Sequence, residues 1–576
     1  MTQPRIPKEL AELVLAAAAY GSLVLIMWLP FNLCSGMPYE TTFLYNSETL
    51  SLSEGFLYRA DPLRIHTNTF YQFSFLLGEI LGIGGSFVPF QVVYAFLWWA
   101  RGLLIFLIAR RLLPDSGLFP FCVGAVVTVH ASDGALQWVG QLNQFGFIFW
   151  MLLAFYLFVA AFQASSTWNI PIFLTASVSS QYMSLWSYES QLFVILVAPI
   201  CIWFTSQRSA GSKWRWLIVW YIVPATYVYL TVSKYMQAIS QTYQESVLRS
   251  DWSVPALLND LMFNIVASLQ FWAWDDSVQS YLADQRLTVL VLAAGALHAA
   301  IVLCLALIVR GKDARMALIP DAHVLLATLG TGLLLVAASF PAYLILNSAR
   351  SLWRTQFLSG IGSALVLAAV TGLLARAVGG ERKSGLAMAA MGAVIVSFGT
   401  NAALGKSLFH ASIWERHRVV MAAVLDVVPA VRVDTLFILT NVPKTQDPFG
   451  HNMWFDFALR LAYPGRGVAG LYFYDDGTAA PGSNMRLEGG HWIWDGTSMP
   501  PKVREIEATN TLLIRCGAKG QDRLLAMAPP EIPSLSALEP LEDDAGKILI
   551  ANTPSPRALR RYRPCADALL ARWRGH

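Results

Sequence analysis

Charge is what this sequence has least of. Asp, Glu, Lys and Arg together fill 14% of its 576 positions, while apolar residues fill 55%. A soluble domain carries roughly a quarter charged residues, so most of this chain is not built for a water interface. The net charge of +4 is spread over the whole length and gives no reason to expect nucleic acid among the partners. There is no P-loop, no GxGxxG, no HExxH and no internal repeat, which removes the nucleotide-cradling motifs, the zincin helix and the repeat architectures. Six cysteines are present. Cys34, Cys122, Cys201 and Cys304 lie in or beside apolar segments without CxxC or Cys/His spacing, and read as small packing residues rather than zinc ligands. Cys516 and Cys565 fall in a polar tail, where an oxidising compartment would allow a disulfide between them. No cleavable signal is evident. The first apolar segment, near 10–30, is longer than a signal core and lacks a small-residue cleavage site, so it reads as a first span.

What is there is a series of long apolar runs with 20 Trp and 32 Phe, a content that suits aromatic belts at membrane interfaces. Measured against a hydrocarbon core about 30 Å thick, which takes about 20 helical residues, the runs predict spans near 10–31, 88–109, 118–132, 144–163, 170–187, 190–206, 216–236, 288–309, 322–346, 357–378 and 386–405. Charge sets the register. With the N-terminus cytoplasmic, the inner segments hold Arg5, Lys8, Arg110, Arg111, Arg208, Lys213, Arg215, Arg310, Lys312, Arg315, Arg376, Arg382 and Lys383. The outer loops hold Arg59, Arg64, Arg249, Arg286, Arg350 and Arg354. Counting 67–86 as a further span would reverse every later loop and place Arg110 and Arg111 outside. That segment therefore reads as a helix lying in the outer interface.

The expected architecture is a polytopic α-helical membrane protein of about eleven transmembrane helices, residues 1–405, with long outer loops at 32–87 and 237–287. A C-terminal α/β domain, residues 406–576, follows on the periplasmic face of a bacterial inner membrane. In that tail TLFILT, a helical pattern at 452–462 and GVAGLYFY read as a βαβ unit. HWIWDG, TLLIRC and RLLAMA read as further strands, and 556–574 as a final basic helix.

Long outer loops tend to carry function. The first contains Glu40, Glu48, Glu54 and Asp61, which either keep the loop solvated or act as a base or cation ligands at the membrane surface. The second, HASDGALQWVGQLNQ, places His130 and Asp133 one helical turn apart, lining a cavity or capping a loop. SLWSYES puts Glu189 in a tight turn between two spans, where a carboxylate must be paired or solvated. NSARSLWR carries Arg350 and Arg354 against the charge bias, either for a specific phosphate or for anionic headgroups in general. FWAWDD offers Trp272 and Trp274 to stack on a sugar or to anchor at the interface.

Together these pieces resemble the GT-C superfamily of membrane glycosyltransferases, which take a sugar from a polyprenyl-phosphate carrier on the outer face. The residues that carry the resemblance are the acidic first loop from Glu40 to Asp61, the helix at 67–86 and the span VVYAFLWWARGLLIFLIARRL. They continue through HASDG, WSYES and the run IWERHRVVMAAVLDVVPAVRVDTLFILTNVP. The first loop lacks the DD or DxD pair often seen in that family.

The resemblance implies a hexosyl- or pentosyltransferase acting on a glycan or lipid acceptor. Glu48, Glu40 or Asp61 would serve as base, and Asp133, His130 and Glu189 would orient the acceptor or a Mg or Mn ion. Arg350, Arg354 and Arg64 would hold the carrier phosphate. The alternatives are a polymerase or ligase of lipid-linked O-antigen, which usually lacks such a tail, and a transporter or scaffold. Transport would need charged mid-span positions, which are nearly absent here (Arg101 is the clearest exception), and two related halves, which do not show.

Overall fold

The computed structural model describes residues 8–41, 44, 64–83, 86–114, 116–136, 138–164, 166–200, 210–238, 249–270, 285–310, 319–345, 356–428, 431–465, 467–482, 485–495, 503–516 and 523–526. The chain is a polytopic α-helical membrane protein with a C-terminal α/β domain. Helices dominate because hydrocarbon offers no partner to backbone N–H and C=O groups, and a helix satisfies them within one segment.

The helices are α1 (Lys8–Trp28), α2 (Thr69–Ile80), α3 (Val88–Leu112), α4 (Phe119–Val129), α5 (Leu142–Gln163), α6 (Asn169–Leu185), α7 (Leu192–Val197), α8 (Ala210–Ala238), α9 (Val254–Leu269) and α10 (Gln285–Arg310). They are followed by α11 (Ala322–Leu344), α12 (Gln356–Gly379) and α13 (Lys383–Leu425). Among the described residues seven stretches are long and apolar enough to cross a membrane, within α1, α3, α5, α10, α11, α12 and α13. The predicted span at 118–132 is an eleven-residue helix, α4, and the one at 170–187 is the seventeen-residue α6. Of 190–206 the described helix is the short α7. The segment at 67–86 contains the twelve-residue α2, roughly 18 Å long and shorter than the hydrocarbon core.

Small residues let the helices touch. A Cβ on Gly102 would stand 2.1 Å from Thr128 Oγ1, and one on Gly124 would stand 2.9 Å from the Gly102 carbonyl, so α3 and α4 cross backbone to backbone. α12 and α13 turn back on each other at Gly379, whose Cβ would meet the Ser384 nitrogen at 2.6 Å. Both arms return to one level, since Gly360 sits against His130 and Gly399 against Val129.

On its other side α12 packs on α11, where a Cβ on Gly362 would lie 2.6 Å from the Gly332 carbonyl oxygen. Gly362→Val should therefore cost about 1–3 kcal/mol through forced separation. The check is the melting temperature in detergent, and an unchanged value would contradict this packing.

α13 does not stop at the bundle. It runs past residue 406 to Leu425 and leads into the α/β domain. There β1 (Leu436–Val442), α14 (Asn452–Ala462) and β2 (Ala469–Tyr474) form the expected βαβ unit, with the two strands parallel. β6 (Thr511–Arg515) pairs parallel to β1 on its other edge, and β7 (Arg523–Ala526) antiparallel to β6. Between them β3 (Met485–Glu488), β4 (His491–Asp495) and β5 (Val503–Glu507) make a separate antiparallel sheet. The loop after β1 is fastened by Asp447, whose carboxylate accepts the Phe449 and Gly450 N–H groups and the Tyr472 and Tyr474 hydroxyls.

The cysteine assignments change. Cys516 is not disulfide-bonded. It closes the end of β6, its N–H donating to the Thr440 carbonyl at 2.9 Å and its carbonyl accepting from Asn441 Nδ2 at 2.7 Å. Cys565 lies outside the described residues, as does the predicted helix at 556–574. Cys34, read from sequence as a packing residue, is disulfide-bonded. It lies beyond the end of α1, clear of the span.

Candidate functional site

Where α1 leaves the bundle, residues 38–40 form one tight 3-10 turn. That turn brings the Glu40 side chain back onto the Met37 N–H, which donates to Oε2 at 2.6 Å. The other carboxylate oxygen, Oε1, accepts the Gly140 N–H at 2.5 Å. Gly140 follows α4 by eleven residues, and its own carbonyl accepts the Tyr71 hydroxyl of α2 at 2.8 Å. A Cβ there would meet the Tyr39 hydroxyl oxygen at 2.1 Å, so any larger residue would have to displace that ring. Three segments distant in sequence thus converge around one carboxyl group.

Aromatic rings roof it. The Tyr39 ring lies 5.1 Å from that of Trp138 and 5.7 Å from that of Trp454, the latter on α14 of the α/β domain. Trp138 Nε1 donates to a ring nitrogen of His410 on α13 at 3.2 Å. Glu40 is fully buried beneath these groups. Burial raises its pKa from the usual 4.5 to about 8, against the opposing pull of the two backbone donors and the Tyr39 hydroxyl. Burial, and then the charge of Glu40, push the Tyr71 phenol up as well. The group is therefore a neutral acid below about pH 8 and a base above it.

Beside this carboxyl is a second buried polar cluster. α4 ends at Val129, so His130 and Asp133 are not one helical turn apart and face different partners. His130 Nε2 donates to the Ser268 carbonyl at 2.9 Å. Asp133 accepts the Ala135 N–H at 2.8 Å on Oδ1 and the Gln356 N–H at 2.9 Å on Oδ2. The Lys406 ammonium donates to the main-chain carbonyls of Ala131 and Asp133. Asp133 therefore ties the second loop to the start of α12, and Lys406 ties the same loop to α13.

Arg64 and Glu189, given separate roles from the sequence, meet as a two-pronged ion pair. Arg64 Nε donates to Oε2 at 2.9 Å, a second guanidinium nitrogen donates to Oε1, and the guanidinium carbon stands 4.3 Å from the Tyr188 ring centre. The carboxylate in the 186–189 turn is thus paired, and the pair clasps the end of the first loop to that turn. Glu48, Asp61, Arg350, Arg354, Trp272 and Trp274 lie outside the described residues. Among the described residues no three His, Cys, Asp or Glu side chains group as metal ligands. Sequence reasoning missed Tyr39, Tyr71, Trp138, Gly140, His410 and Trp454. Trp138 and Gly140 stand in the second-loop run already singled out, but only its polar residues were weighed.

The fold and site define a membrane protein with a buried, high-pKa carboxyl at the end of the bundle that bears its α/β domain. Among the solved structures similar to it are two of ArnT from Cupriavidus metallidurans. The one bound to undecaprenyl phosphate is 13% identical with a TM-score of 0.36, over 80% of this chain and 89% of that one. The one in the apo state is 13% identical with a TM-score of 0.35, over 75% and 83%. No family model and no curated protein matches the chain.

Proposed function

We propose that the protein is a glycosyltransferase of the GT-C kind, moving a sugar from a polyprenyl-phosphate carrier to a cell-envelope acceptor on the periplasmic face of a bacterial inner membrane. The observation that carries the reading is Glu40. It is a carboxyl raised to about pKa 8, built from the first loop, the second loop and α2, and roofed by aromatic rings of the α/β domain. A base tuned near the working pH is what deprotonation of a sugar hydroxyl calls for.

In the proposed reaction Glu40 takes the acceptor hydroxyl proton as that oxygen attacks the anomeric carbon. The bond from this carbon to the phosphate oxygen breaks, and the carrier leaves as polyprenyl phosphate. Arg350 and Arg354 would hold that phosphate and stabilise its growing charge. The Arg64 fork is filled by Glu189, which favours the later arginines for this role. Both Asp133 oxygens accept main-chain N–H groups, so a Mg or Mn ion, if used, is assigned to the first-loop carboxylates other than Glu40, namely Glu48, Glu54 and Asp61. The disulfide at Cys34 supports an oxidising compartment on the side where the first loop emerges.

The test is transfer from radiolabelled polyprenyl-phosphate sugars in membrane fractions. Arg350→Ala/Arg354→Ala should lose transfer while remaining folded. Wild-type transfer by that double variant would remove the phosphate site from the proposal.

A further inference from the structure

Helix α9 is built inside out for a loop in water. Val254, Leu258, Met262 and Val266 recur every fourth residue, and with Phe263 they are 42–66% exposed along one arc. The opposite arc carries Asp260, Asn264 and Ser268, also every fourth residue, and all three are buried. In an aqueous loop the two arcs would be exchanged, because a contiguous apolar face meets water only at a cost and a buried carboxylate must be paired.

The polar arc is fully engaged with the bundle. Asp260 forms an ion pair with Arg249, whose Nε donates to the Leu344 carbonyl at 2.9 Å. Asn264 Oδ1 accepts from Gln356 Nε2 at 3.0 Å, and Ser268 meets Gln356 and Ser359 through its hydroxyl and His130 through its carbonyl. Along the edge between the arcs, Leu261 and Ile265 pack on Val336, Phe340 and Tyr343. Those residues form the last turns of α11, a membrane span, and Val336 lies eight residues or roughly 12 Å before its end at Leu344.

We infer that α9 lies within the leaflet nearest the α/β domain, its Val254–Leu258–Met262–Val266 arc in contact with lipid hydrocarbon and its Asp260–Asn264–Ser268 arc closing the polar cluster around Asp133 and Gln356. Sixteen residues give roughly 24 Å of helix, so α9 lines the leaflet rather than crossing the bilayer. Its apolar side chains are the partner surface for acyl chains, and its polar side chains form a wall between those chains and the second loop.

The experiment is nitroxide scanning of the full chain in phosphatidylcholine–phosphatidylglycerol liposomes. Asp251, Leu258, Met262 and Asn264 are replaced by Cys one at a time, in a background carrying Cys122→Ala, Cys304→Ser and Cys516→Ser. Leu258 and Met262 are more than half exposed, so these labels read the environment even where the Asn264 variant fails to fold. The expected result is a several-fold higher ratio of oxygen to aqueous nickel-chelate collisions at 258 and 262 than at 251, with 264 shielded from both. Nickel collisions at 258 and 262 equal to those at 251 would put the helix in water and overturn the inference. Shielding of 258 and 262 from both reagents would mean that protein covers the arc, and would overturn it equally.

Discussion

Glu40→Gln is expected to lower the proposed sugar transfer by roughly 10²–10⁴-fold, the usual contribution of a positioned general base. Glutamine keeps the size of the side chain and an oxygen for one of the two donors, Met37 N–H or Gly140 N–H, but it cannot take a proton. The wild-type rate should rise as pH passes through about 8, where the carboxyl ionises, and the variant's residual rate should lack that limb. Stability runs the other way. The folded state holds the Glu40 proton up to about pH 8 and the unfolded chain releases it near 4.5, so stability is fully present below 4.5 and falls as pH rises to about 8. Glu40→Gln removes that slope. Thermal unfolding of the purified protein across this window separates the two effects. A variant that transfers at the wild-type rate would leave Glu40 as a structural clasp only.

Asp456→Ala destabilises the α/β domain by about 3–5 kcal/mol, the cost of breaking a buried ion pair and leaving one charge behind. The Asp456 side chain is fully buried, that of Arg460 nearly so, and Oδ2 lies 2.8 Å from the guanidinium. Asp456 Oδ1 also accepts the Gly470 N–H at 3.2 Å, so the pair fastens α14 to β2. Because α14 carries Trp454 over Tyr39, this loss should loosen the roof of the Glu40 site as well as the sheet. Limited proteolysis of the tail in the full chain measures it. The double variant Asp456→Leu/Arg460→Met should recover much of the loss, and a change below about 1 kcal/mol in the single variant would contradict the account.

The parts of this fold that repeat a short period were legible in the sequence. Alternating and helical apolar patterns at 435–474 marked β1, α14 and β2, and long apolar runs marked the spans. The charge argument set 67–86 apart from the spans, and the helix there is too short to cross a bilayer. Long-range chemistry was not legible. Glu40 was among several acidic residues of the first loop, and nothing local to it announces a hydrogen bond from Gly140, one hundred positions away. The partnership of Arg64 with Glu189 is hidden for the same reason.

α9 was not anticipated. Asp260, Asn264 and Ser268 stand four residues apart in the sequence, but 237–287 was read only as a long outer loop and its helical period was not weighed. The disulfide at Cys34 also escaped, because nearness to an apolar segment was taken as membership of it.

We propose that this membrane protein transfers sugar from a polyprenyl-phosphate carrier with Glu40 as base. The most direct measurement places purified wild-type and Glu40→Gln protein in liposomes with a panel of polyprenyl-phosphate sugars, and follows release of polyprenyl phosphate and labelled acceptor. The account predicts turnover by the wild type with at least one carrier and its loss in Glu40→Gln. Wild-type protein that neither turns over nor binds any carrier in the panel would contradict it.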